Sequence, residues 1–193
     1  MEDVFASFVK AFVLLFAIMD PFSSVPILVA LTKGFKERDR NRAVDEAIFV
    51  ALVIVLVFAF FGTGLLDVLT IKLDDFMVAG GIVIGLLGIQ LMFVGEDRMK
   101  KAANYQLAAV VIATPMLTGP GVISTVIVLH ASEGLVVTLA AAAVSLGLAW
   151  IILRNSARLF KAMGHQFLGV FSRIMGLLLI ALAVGFVRRG LGM

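Results

Sequence analysis

Six predominantly apolar stretches, at residues 4–31, 47–66, 76–95, 107–129, 135–153 and 167–187, take up most of a 193-residue chain. Each is long enough for a helix to cross the hydrocarbon core of a bilayer, which takes about 20 residues. A helix pairs its own backbone N–H and C=O groups where no water can reach them. Six such spans leave no room for a separate soluble domain, so the chain reads as a single transmembrane domain over 1–193. The composition agrees. Apolar residues make up 62% and charged residues 15%, against about 45–50% and about 25% in soluble domains, and the mean hydropathy is +1.12. A water-soluble globule of this size has too much surface to hide that much apolar side chain. These values exclude a soluble enzyme, a nucleic-acid-binding domain and a disordered chain. The absence of cysteine excludes a disulfide framework and thiolate chemistry. The chain opens on the acidic Met1-Glu2-Asp3 instead of the basic segment of a signal peptide, so the first apolar stretch is expected to remain in the mature protein.

The formal charge of +3 is distributed unevenly. The first, third and fifth connections hold eleven basic residues, among them Lys33, Arg40, Arg98, Lys100, Arg154 and Arg158; the second and fourth hold only Lys72. Basic connections stay on the cytoplasmic side, which predicts a multi-pass protein of the cell membrane with both termini outside. The charged segment 33–46 is expected to continue the second span into water as a solvated helix end.

All four prolines fall within the first and fourth stretches, as Asp20-Pro21-Phe22-Ser23-Ser24-Val25-Pro26 and Thr114-Pro115-Met116-Leu117-Thr118-Gly119-Pro120-Gly121. Both contain Pro-x4-Pro, and the two motifs lie 94 residues apart. Gly81 and Gln90 of the third stretch recur as Gly176 and Gly185 of the sixth at an offset of 95. Each half has three spans, an odd number, so the halves enter the membrane from opposite sides. The expected fold is therefore all-α, with six transmembrane helices arranged as two inverted three-helix repeats, 1–97 and 98–193. Such repeats recur in secondary transporters.

A proline inside a helix removes a backbone hydrogen bond and clashes with the preceding turn, and broken backbone at membrane depth is tolerated only where protein buries it or it lines a cavity. Helices 1 and 4 are thus expected to break at Pro-x4-Pro, inside the bundle. Asp20-Pro21 and Thr114-Pro115 each read as an N-cap followed by proline in the first helical position. A helix start there presents free N–H groups that suit a carboxylate. Ser23, Ser24 and Thr118 add hydroxyls, and Gly119 and Gly121 leave bare backbone for a small ligand to approach. Of thirteen carboxylates, Asp20 alone has apolar sequence on both sides within a span. Placing that charge near mid-bilayer costs about 2.5–3.5 kcal/mol on insertion scales. It caps the second half-helix, or meets an ammonium or a coupling cation, or carries a proton, and these roles are compatible. Gln90, deep in the third span, contacts substrate or bonds across helices. The candidate binding residues are thus Asp20, Pro21, Ser23, Ser24, Gln90, Thr114, Thr118, Gly119 and Gly121. Gly80, Gly81, Gly85, Gly88, the Ala181–Gly185 pair and the small-residue run Ala140–Ala143 with Ser145 and Gly147 are expected to serve close helix packing. Trp150 is expected at an interface, and His130 and His165 at the wet ends of spans.

Enzyme readings fail on residue types. There is one intramembrane aspartate where an aspartyl protease needs two, no histidine at membrane depth, no glycine-rich phosphate loop and no metal-ligand spacing. No cofactor, metal site or nucleic-acid partner is expected; the available chemistry is binding and passage.

Asp20 to Pro26, the run Pro115-Met116-Leu117-Thr118-Gly119-Pro120-Gly121-Val122-Ile123 and Arg173-Ile174-Met175-Gly176 at the entry to the sixth span together resemble the MarC family, also described as small neutral amino acid transporters of the SnatA type. Asp20, Pro21 and Pro26 match the family pattern, Ser23 stands where glycine is usual and Ser24 where asparagine is usual, and relatives tend to carry glutamine near Gly185. The resemblance implies transport of glycine, alanine or similar solutes, coupled to H+ or Na+. Its rivals are an uncoupled channel or exporter of small polar solutes and a membrane scaffold without transport. A homo-oligomer stays open.

Overall fold

A computed structural model describes residues 2–93 and 117–192. Among them the chain is helical, with no strand: α1 (Glu2–Met19), α2 (Pro21–Leu31), α3 (Glu37–Val68), α4 (Leu73–Phe93), α5 (Pro120–Glu133), α6 (Leu135–Arg154) and α7 (Ser156–Gly190). Charges at the helix ends suit the backbone dipole. Glu37 and Asp39 open α3, Asp74 and Asp75 open α4, and Arg154, Arg188 and Arg189 lie in the last turns of α6 and α7. Between α5 and α6 there is one residue, Gly134, at φ +85°, a backbone setting that glycine adopts without a Cβ clash.

Among the described residues, three stretches are long and apolar enough to cross a membrane: Val4–Val29, Glu37–Val68 and Leu135–Arg154. The burial pattern is that of a bundle in lipid. On α3 the inward stripe is built of small residues, with Ala43, Ala47, Ala51, Val55, Ala59 and Gly62 one helical turn apart. Phe49, Val53, Val57, Phe60 and Phe61 point outward. A soluble helix would reverse this; in lipid, tails are as apolar as leucine, and small faces let backbones approach.

The helix α5 is the centre. From Gly121 to Leu129 nearly every residue is buried, and α5 touches α1, α3, α4 and α6. Around it, α4 lies along α7, α1 along α6, and α2 against α6 and α7. The expected glycine packing holds at four positions. A Cβ on Gly80 would meet Ser124, on Gly81 the Ala183 carbonyl oxygen and Val187, on Gly85 the Ala183 methyl, and on Gly88 the Gly176 carbonyl oxygen. It fails at two. Gly147 and Gly185 have open space where a Cβ would stand, and Ala140 and Ala143 are exposed while Ala141, Ala142 and Ser145 face inward. A helix can turn only one side of a run of small residues to its neighbours.

One connection meets expectation and one differs from it. The charged segment after α2 does become helix, as the first turns of α3. The fifth connection is also helical: α7 starts at Ser156, directly after Asn155, and runs 35 residues. Both α3 and α7 exceed the span of a bilayer core at about 1.5 Å per residue, so their basic first turns stand clear of it at one end of the bundle.

Candidate functional site

The first span is broken at a single residue. Pro21 has no N–H to donate, and its ring disfavours the α conformation in the residue before it. Asp20 accordingly leaves the helix at φ +37°, in the left-handed region that aspartate tolerates better than most residues. It belongs to both flanking helices. Its N–H still donates to the Phe16 carbonyl at 3.0 Å, closing α1. Its side chain caps α2: Oδ1 accepts from the Ser23 N–H at 3.3 Å and Oδ2 accepts from the Ser23 hydroxyl. The Ser24 hydroxyl donates to the Asp20 carbonyl oxygen at 3.2 Å. Phe16 and Phe22 meet edge to face across the break, 6.4 Å between centroids. Asp20, Pro21, Ser23 and Ser24 are all buried. The carboxylate has about four lone-pair positions, of which Ser23 takes two. Pro26 does not break the chain; it lies within α2, so the interruption is confined to the first proline.

In the second half, α5 starts at Pro120, with Gly119 as its N-cap in extended backbone and no side-chain cap. The Val122 and Ile123 N–H groups both donate to the Gly119 carbonyl. Leu117, Thr118, Gly119 and Gly121 are buried, and Pro120 is exposed. A helix starts here at Gly119-Pro120; the expected start at Thr114-Pro115 lies outside the described residues. Gln90 lies on α4 in the last turn before Phe93.

Polar contacts fix the relative depth of the two interruptions. At the end of α5, Glu133 accepts from Lys10 Nζ at 2.5 Å and from the Ser7 hydroxyl at 2.6 Å. The buried residues of α1 are those that follow Lys10, namely Ala11, Leu15, Ile18 and Met19, so α1 and α5 run in opposite directions from this contact. At about 1.5 Å per residue, Met19 lies about 14 Å beyond Lys10, and Pro120 about 20 Å from Glu133. The two breaks thus fall within about two helical turns of one another in depth, well away from the charged end. The hydrogen bonds from Lys10 and then Ser7 hold the Glu133 carboxyl below the usual glutamate range.

Several polar contributors were invisible in sequence. Ser124 and Thr125 are buried in α5, where their hydroxyls donate to the Pro120 and Gly121 carbonyls at 2.8 and 2.7 Å; their signal was their place directly after Gly121 in an otherwise apolar helix. His130 lies in the last turn of α5, at the span end as expected, and is half buried, with Nδ1 shut from solvent and unpaired among the described residues; the side chain of His165 lies outside the described residues. Trp150 does more than sit at an interface. Its Nε1 donates to Asp45 Oδ1 at 2.8 Å, Arg154 donates to the same oxygen at 2.9 Å, and the Arg154 guanidinium stacks 5.0 Å from the indole centroid. This cluster joins α3 to α6 at the far end of α6 from Glu133.

Cavities also lie away from the breaks among the described residues. One, of about 560 Å³, lies between the first turns of α3 and the α6–α7 junction. Another, about 700 Å³, is an apolar groove between α1 and α7 lined by Val13, Ala181 and Gly185 among others. Among the described residues there is no group of His, Asp or Glu that could hold a metal.

A bundle of apolar helices with small residues turned inward and a buried, capped break in its first span is an integral membrane protein. The sequence matches the MarC family of integral membrane proteins over residues 5–193, and the chain belongs to that family. It is similar to a UPF0056 membrane protein of Aquifex aeolicus, 33% identical across 99% of this chain and 95% of the relative. It is also similar to one of Methanocaldococcus jannaschii, 30% identical across 95% of both chains, and to YhcE of Escherichia coli, 29% identical across 97% and 93%. No solved structure matches.

Proposed function

We propose that this protein is a secondary transporter of small neutral amino acids such as glycine and alanine, working by alternating access and coupled to H+ or Na+, and that it is not an enzyme. The observation that carries the reading is the buried break at Asp20, an acidic N-cap in mid-span at nearly the depth of the uncapped backbone that opens α5. The substrate's ammonium approaches Asp20, whose unused lone pairs face no other cation among the described residues. Its carboxylate is received by N–H groups at a helix start, in α2 at Ser24 or in α5 beside Thr118, Gly119 and Gly121. Thr114 and Gln90 stay candidates on sequence grounds. The lack of side chains at Gly119 and Gly121 lets a small ligand approach the backbone closely.

The inverted repeat is part of this reading. With the offset of 95 residues, Gly81 corresponds to Gly176 and Gly88 to Ala183. The close approach of Gly81 to Ala183 then corresponds to that of Gly88 to Gly176, the reciprocity a twofold axis between α4 and α7 requires. In this arrangement the first repeat carries α1–α4 and the second α5–α7, both termini face outward, the protein resides in the cell membrane, and one repeat rocks against the other around the two breaks.

Uptake of radiolabelled glycine and alanine into proteoliposomes, with imposed H+ or Na+ gradients, tests the reading. Saturable, gradient-driven uptake and counterflow are expected, and Asp20→Asn is expected to abolish or uncouple them. Uptake without counterflow indicates a channel or uncoupled exporter. No uptake and no stabilisation by any small amino acid indicates a scaffold.

A further inference from the structure

The cavity at the basic end of the bundle has no part in the proposed transport path, and its lining points to a ligand of its own. Arg40 and Asn41 come from the first turns of α3, Trp150 and Arg154 from the last turn of α6, and Asn155 and Arg158 from the junction with α7. Glu37 also lines it, leaving an excess of positive charge. The three arginines differ in commitment. Arg154 is held by Asp45 and stacked on Trp150. Arg40 gives its Nε to Thr32 Oγ1 at 3.2 Å, and its terminal nitrogens have no partner among the described residues. Arg158 has no hydrogen-bond or ion-pair partner among them. The first turn of α7 adds backbone N–H donors that no side chain caps. Between the lining residues Asn155 and Ala157 lies Ser156, fully buried, with a hydroxyl that has no partner among the described residues. Unspent guanidinium donors gathered in one cavity beside an uncapped helix start suit a tetrahedral oxyanion, which arginine binds through paired N–H groups.

We infer that this cavity binds a phosphate group, and that the group belongs to the headgroup of an anionic phospholipid. The apolar rim favours the lipid source: Trp150 and Ile151 are partly exposed there, next to the arginines, as at a membrane interface. Basic pockets between membrane helices hold anionic headgroups by this combination. The inference is independent of the transport reading.

Trp150 is the chain's one tryptophan and lines the cavity, so its fluorescence reports on it. Purified protein in a non-ionic detergent is titrated with phosphatidylglycerol, phosphatidylcholine and glycerol phosphate. A saturable change with phosphatidylglycerol, absent with phosphatidylcholine, is expected. Arg158→Gln and Arg40→Gln are each expected to weaken it about fivefold, the effect of one basic residue on an anionic headgroup. Because Arg158 has no hydrogen bond or ion pair among the described residues, its variant separates binding from folding. An equal response to glycerol phosphate keeps the phosphate site and assigns a soluble source. An equal response to phosphatidylcholine, or unchanged affinity in both arginine variants, overturns the inference.

Discussion

Asp20 carries two roles that chemistry can separate. As an N-cap it needs an acceptor for the Ser23 N–H, which asparagine also supplies. As a ligand for an ammonium or cation it needs a negative charge, which asparagine lacks. Asp20→Asn should therefore fold with little change in thermal stability and fail in uptake. Asp20→Ala should lose both, with a stability cost of about 1 kcal/mol or more from the lost cap, read from thermal unfolding in detergent. If Asp20→Asn unfolds like Asp20→Ala, the carboxylate's role is structural. The aspartate was legible in sequence because a lone acid within an apolar span is costly and needs a reason. The left-handed backbone and the grip of Ser23 were not, because both depend on where the chain goes after Pro21.

At the scale of elements, inward and outward glycines should respond in opposite ways. At Gly88 a Cβ would come within 2.6 Å of the Gly176 carbonyl oxygen, a backbone atom with little freedom to move. Gly88→Ala should force α4 and α7 apart at a cost of about 1–3 kcal/mol. At Gly147 a Cβ meets nothing within 4 Å, so Gly147→Ala should raise stability by up to about 1 kcal/mol through helix propensity alone. Thermal unfolding of the two variants side by side checks both signs. The glycine spacing announced that some helices pack closely, and at 80, 81, 85 and 88 it marked the right face. It could not separate these from Gly147 and Gly185, because composition along a helix does not say which side meets a neighbour. Pro26 makes the same point: as the second proline of the motif it was expected to break the first span, yet α2 runs through it, while its counterpart Pro120 opens α5.

At the scale of the whole molecule, two ion-pair clusters tie the early helices to the late ones at opposite ends of the bundle, Lys10–Glu133 between α1 and α5 and Asp45–Arg154 between α3 and α6. The first predicts a pH dependence. The folded-state pKa of Glu133 is depressed, so its contribution is present above the ordinary glutamate range and is lost as pH falls through the folded value. Glu133→Gln should be less stable than the parent protein at neutral pH, and the difference should vanish in acid; melting curves across that range measure it. Asp45→Asn should loosen the second cluster and shift the emission of Trp150, whose indole N–H loses a charged acceptor.

Apolar length and the lack of water in a bilayer left the backbone little choice but helices, so the helical, membrane-embedded character could be read from composition and spacing, and Pro21 marked where the first span is interrupted. Which proline starts a helix, which small residues face inward, and which distant charges meet were settled by packing. Those outcomes depend on the rotation and depth of each helix against its neighbours, and local sequence carries no record of either.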